Sequence, residues 1–154
     1  MIIRSEFAVK TEEMQHHTLF RIGENISGKK IEGELNMWEA PVIDIIVGNG
    51  KNYTEVKALI DTGAYHNHVN SKIAKQFESI LRGKEIHRTP YGSFELSVYT
   101  LIFGFKNFPE TQFVCDTRTI DYECSDFIIG SKFIAEFCDL HIYGSESRFE
   151  LVFR

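Results

Sequence analysis

The sequence predicts an all-β fold in a single domain, and three observations carry that prediction. Short runs of alternating apolar and polar residues outnumber helix-like spacings by about four to one. Turn signals such as Gly48-Asn49-Gly50 and Thr89-Pro90-Tyr91-Gly92 separate these runs. The chain has 154 residues, 43% of them hydrophobic and 25% charged, which suits one self-sufficient core.

Taken in order, residues 1–40 are the least patterned and read as an N-terminal extension to a domain spanning 41–154. They hold the alternating stretch Ile31-Glu32-Gly33-Glu34-Leu35, punctuated by Gly23, Gly28 and Gly33, and a polar run over 11–17. From Pro41 the signal sharpens. Residues 42–47 form a mostly apolar strand, Gly48-Asn49-Gly50 a turn and residues 53–60 a second strand, together a β-hairpin. Over 71–81, Ile73, Ala74, Phe77, Ile80 and Leu81 fall at helical spacing, with Asn70 or Ser71 as N-cap and Gly83 beyond the end. The run from Phe94 to Phe103 alternates and is rich in β-formers, so a strand entered through a hairpin tip is expected. Residues 111–115 and 126–129 read as strands, 131–137 as two helical turns, and 140–143 and 148–153 as closing strands.

A net charge of −5, from 22 acidic and 17 basic residues, leaves no cationic footprint for nucleic acid. Three cysteines, Cys115, Cys124 and Cys138, are too few for a disulfide framework and suit a reducing compartment, so a cytoplasmic location is expected. Neither an export signal nor an 18-residue apolar run is visible, and no membrane association is expected. The sequons at Asn25 and Asn52 read as chance.

One segment carries chemistry. Ala58-Leu59-Ile60-Asp61-Thr62-Gly63-Ala64 ends an apolar strand in a carboxylate, where the core should still be closing. An unpaired buried carboxylate is expensive, so Asp61 must be protonated, paired or functional. Asp-Thr-Gly alone is also an ordinary turn. Further along, Asp126-Phe127-Ile128-Ile129-Gly130-Ser131-Lys132-Phe133-Ile134 is a second apolar strand ending in glycine before a short helix. Together, over roughly residues 41–153, these segments resemble the retropepsin-like aspartic proteases, the single-lobed family of retroviral proteases and their bacterial relatives.

The resemblance implies a closed β-barrel with one or two short helices, working as a homodimeric aspartic endopeptidase on peptide or protein substrates, with no cofactor and no metal. Two carboxylates about 3 Å apart share one proton, one acting as base toward a water and the other as acid toward the substrate. One Asp-Thr-Gly per chain supplies half of this pair, and a two-fold axis supplies the rest. Asp61 becomes the catalytic carboxylate, Thr62 a cross-dimer tie and Gly63 the point of close backbone approach. Ala64, Tyr65, Ile129 and Gly130 fall beside the substrate, and Pro90, Tyr91 and Gly92 at the tip of a hairpin flap. Ala64 stands where two-lobed relatives often carry a Ser that bonds the aspartate, which implies activity nearer neutral than strongly acidic pH. Tyr65 and Ser131 replace an ion pair common in retroviral members. A non-cleaving peptide-binding or scaffold domain on the same fold is the alternative.

Other signals have plainer readings. His66 and His68 are spaced like ligands but have no CxxC or HExxH beside them, so they read as strand residues, and the cysteines as small core residues. The Gly48–Asn52 stretch lacks the glycine and the Ser or Thr of a phosphate loop. Met37 and Trp38 are expected to pack.

Overall fold

The computed structural model describes residues 17–77, 80–121 and 125–154. Eleven strands are present among them: β1 (Leu19–Gly23), β2 (Lys30–Glu34), β3 (Val42–Gly48), β4 (Tyr53–Ile60), β5 (His68–Asn70), β6 (Ile80–Thr89), β7 (Gly92–Phe105), β8 (Thr111–Ile120), β9 (Phe127–Ile129), β10 (Cys138–Tyr143) and β11 (Arg148–Phe153). Two short helices, α1 (Ser71–Ala74) and α2 (Ser131–Phe137), complete the set with a 3-10 turn at Gly144–Glu146. The larger sheet runs β1-β8-β5-β9-β4-β3-β7-β6, and a further pairing of β8 with β7 closes six of its strands into a barrel. The smaller sheet has the order β10-β11-β2.

The barrel is filled by phenylalanine. Phe103 sits in contact with Phe105, Phe113, Phe127 and Phe133 at ring-centroid distances of 5.2–6.0 Å, and all five are buried. Burying each such ring contributes about 1.5–3 kcal/mol, and edge-to-face contacts add to it. Cys115 and Cys138 are small buried members of the same core.

The hairpin over 42–60 forms as its pattern dictates, with Val42 opposite Leu59 and Gly48 opposite Tyr53. Four expectations need correction. Of the two histidines read as strand residues, His66 stands in the bend before β5 and His68 alone lies in a strand. The helix anticipated over 71–81 ends at Ala74, because Leu81 pairs with Tyr99 in the β6–β7 hairpin and long-range pairing overrides helical spacing. Residues 111–115 are only the first half of β8, which continues through the polar stretch Asp116-Thr117-Arg118-Thr119 and buries all four. Met37 and Trp38 do not pack: they are 85% and 81% exposed. They stand on a turn closed by Asn36, whose Oδ1 accepts from the Trp38 and Ala40 amides at 2.9 and 3.0 Å.

Before residue 41, β1 pairs with β8 and β2 pairs with β11, so both are stitched into the sheets. The expectations for Cys124, for residues 11–16 and for the 78–79 step of the anticipated helix lie outside the described residues.

Candidate active site

The site is assembled from two chain segments that leave neighbouring strands together. Strands β4 and β9 are parallel, with Ile60 opposite Ile129, and the Asp61 amide extends that ladder by donating to Ile129 O at 3.0 Å. The chain then turns sharply. The Gly63 amide donates to Asp61 Oδ1 at 2.9 Å and the Ala64 amide to Asp61 O at 3.1 Å, fixing the carboxylate over its own loop. A side chain at Gly63 would begin 3.1 Å from Asp61 Oδ1, which is tighter than ordinary packing. Asp61 is half-buried, while Thr62 and Gly63 are exposed.

The second segment locks onto the first through main chain. Ser131 and Lys132 amides, which begin α2 and have no partner within the helix, donate to Ala64 O and Tyr65 O at 2.7 and 3.0 Å. The Gly130 amide donates to Asn67 Oδ1 at 2.8 Å. A Cβ on Gly130 would lie 2.5 Å from His66 O and 2.6 Å from Tyr65 O, so only glycine allows the two backbones this close. These ties join the two segments through main chain and the Asn67 amide oxygen. Asn67 was not singled out from the sequence; the available signal was an amide side chain between two histidines, three residues past Ala64.

Around the loop, Tyr65 is 56% exposed and meets the His66 ring edge-on at 4.7 Å, with His17 against His66 at 5.2 Å. Burial, reinforced by the Arg118 charge, pushes the His66 imidazole down to about 3, so it is neutral at working pH. His68 is also lowered, chiefly by burial, while the charges of Asp61 and of His87 on β6 act on it in opposite senses. Among the described residues no group of three or more His, Cys, Asp or Glu is placed to hold a metal ion.

The remaining sequence-predicted residues lie apart from this loop cluster. Pro90 and Tyr91 are the two turn residues of the β6–β7 hairpin, with Thr89 opposite Gly92. Gly92 has φ +137°, a backbone state that favours glycine, and Tyr91 is 95% exposed. The structure therefore brings Asp61, Thr62, Gly63, Ala64, Tyr65, Ile129 and Gly130 into one cluster and sets Pro90, Tyr91 and Gly92 on a projecting hairpin.

This fold is that of the retropepsin-like aspartic proteases. The chain is similar to the crystal structure of a retropepsin-like aspartic protease from Rickettsia conorii, with a TM-score of 0.59 and 12% identity over 89% of this chain and 95% of that one. Also found were the solution structure of simian foamy virus (mac) protease, at TM-score 0.45 and 17% identity over 62% of this chain and 92% of that one, and the retroviral protease-like domain of Ddi1 from Leishmania major, at 0.42 and 13% over 73% and 94%. No protein-family model matches the chain, and no curated protein matches it.

Proposed function

We propose that the protein is an aspartic endopeptidase of the cytoplasm in which two copies each contribute Asp61 to a shared catalytic pair. The observation that carries this reading is the Asp61 loop itself: a half-buried carboxylate, oriented by the Gly63 amide and seated on Ile129–Lys132, at the head of a retropepsin-like barrel. One such loop holds one carboxylate, and the exposure of Thr62 and Gly63 leaves them available to a symmetry mate. With one proton shared between two carboxylates, one activates water and the other protonates the scissile carbonyl. Thr62 ties the two loops, while Ala64, Tyr65, Ile129 and Gly130 border the bound peptide. The hairpin tipped by Pro90, Tyr91 and Gly92 closes over it and excludes water. A peptide fits such a cleft in extended form.

The test is mass-spectrometric profiling of a diverse peptide library with the wild type and with Asp61→Asn, from acidic to neutral pH, alongside sedimentation. Cleavage by the wild type alone, from a dimer, is the expected result. A folded wild type that cuts nothing removes the reading.

A further inference from the structure

The β6–β7 hairpin buries a carboxylate while exposing large apolar side chains. Ile86, Tyr91 and Phe94 are 62%, 95% and 53% exposed, whereas Glu85 is 5% exposed. Strand alternation and register explain where Glu85 points. It shares a face with His87 on β6, and through the pairs Glu85–Leu96 and His87–Phe94 with Leu96 and Phe94 on β7. The same face continues through Val98, which is opposite Arg118 on β8, to His68, which is opposite Arg118 on β5.

Glu85 and Arg118 stand two strands apart with β7 between them, a gap of roughly 10 Å that only a long side chain bridges. Arg118 spans it and grips Glu85 with both prongs, Nε to Oε1 at 3.0 Å and Nη2 to Oε2 at 2.9 Å. Both side chains are buried, at 1% and 7% exposure. Nη1 of Arg118 donates to Asp116 O at 3.0 Å, and the Arg118 amide donates to Asn67 O at 3.1 Å. Asn67 in turn receives the Gly130 amide, and Ile129 receives that of Asp61. An unbroken chain of bonds thus runs from the hairpin's arm to the Asp61 loop.

A buried ion pair is weak evidence of a stabilising role, since well-packed apolar residues in its place are often as stable or more so. What the forked contact supplies is direction: two parallel bonds fix both distance and angle, which apolar contact does not. We propose that Glu85 and Arg118 are positioning residues that set the pitch of the β6–β7 hairpin relative to the Asp61 loop. What the hairpin closes on rests on the endopeptidase reading; the pitch itself does not.

The experiment uses the full chain and the double variant Glu85→Met/Arg118→Leu, with Arg118→Lys as the conservative single change. Amide hydrogen exchange over residues 84–95 and over 63–67 is read first, then kcat and KM on a peptide that the wild type cleaves. The double variant is expected to melt near the wild type yet exchange about tenfold faster in the hairpin. Its KM should rise about tenfold with kcat within about threefold, a split that general loss of structure does not produce. Arg118→Lys, which keeps the charge and loses the fork, should loosen the hairpin in the same direction. Wild-type exchange in the hairpin of either variant, or an unchanged KM, overturns the proposal. Should the double variant not fold, Glu85→Gln carries the same measurements. If the wild type cleaves nothing, the exchange result still decides the positioning role, and only the endopeptidase reading falls.

Discussion

The Asp61 loop and the β6–β7 hairpin are built on opposite principles. Five main-chain amides, those of Asp61, Gly63, Ala64, Ser131 and Lys132, fix the loop, and glycine at 130 lets its two segments touch. The hairpin rises from β7, which pairs with β8 over Val98–Phe103, carries a pair of charged side chains at its root and shows apolar side chains to solvent beyond it. Main-chain bonds from two segments hold the loop, whereas from Leu96 to the tip β7 pairs with β6 and the hairpin projects from the barrel at its base. On the proposed endopeptidase reading, the firmly tied loop places the reacting carboxylate and the projecting hairpin leaves room for substrate to enter.

Several changes break or sharpen this contrast. Asp61→Asn should lower kcat roughly 10²–10⁴-fold, measured on a cleaved peptide, while leaving the fold intact. Glu85→Ala leaves Arg118 buried without its carboxylate and should cost about 3–5 kcal/mol in denaturant unfolding. Gly130→Ala drives a methyl into the Tyr65 and His66 carbonyls, so about 1–3 kcal/mol is expected there, together with loss of cleavage out of proportion to the unfolding midpoint.

The pH dependence follows from His66. Its folded form stays neutral down to about 3, whereas the unfolded chain takes up the proton below about 6.5. The unfolded state therefore binds more protons across that window, and stability falls as pH drops from 6.5 toward 3. His68 adds in the same direction. Melting temperatures of wild type and His66→Gln across that range should show a shallower acid slope in the variant. Smallest of all, Tyr91→Ala at the solvent-facing tip should change stability by less than about 0.5 kcal/mol and act, if the tip closes on substrate, through KM.

How far each region could be read in advance follows the same divide. The 42–60 hairpin and the Asp61 turn are local: period-two apolar residues, a Gly-Asn-Gly turn and a four-residue motif suffice. The run Lys84-Glu85-Ile86-His87-Arg88 gives the opposite impression from the truth, because its alternation suggests Ile86 buried and Glu85 wet. Only Arg118, 33 residues away, reverses that. The 71–81 helix failed for a similar reason, since Leu81 answers to Tyr99 rather than to Phe77. Trp38, just before β3, is expected from the sequence to pack, whereas the Asn36 turn holds it outward.

The seat of Asp61 also has a timetable. Asn67 and Gly130 are 63 residues apart in the chain, and β9 slots between β4 and β5, which are consecutive strands. Loop-closure entropy must be met before that insertion is rewarded, so the parallel β4–β9 contact belongs among the slow events of folding. A growing chain that has passed Ala64 but not Lys132 carries the Asp-Thr-Gly turn with its local Gly63 and Ala64 bonds alone, without the seat on Ile129–Lys132. The seat of the carboxylate on Ile129–Lys132 forms only after most of the barrel's sequence has been synthesised, and on the proposed endopeptidase reading that order keeps half-made chains inactive.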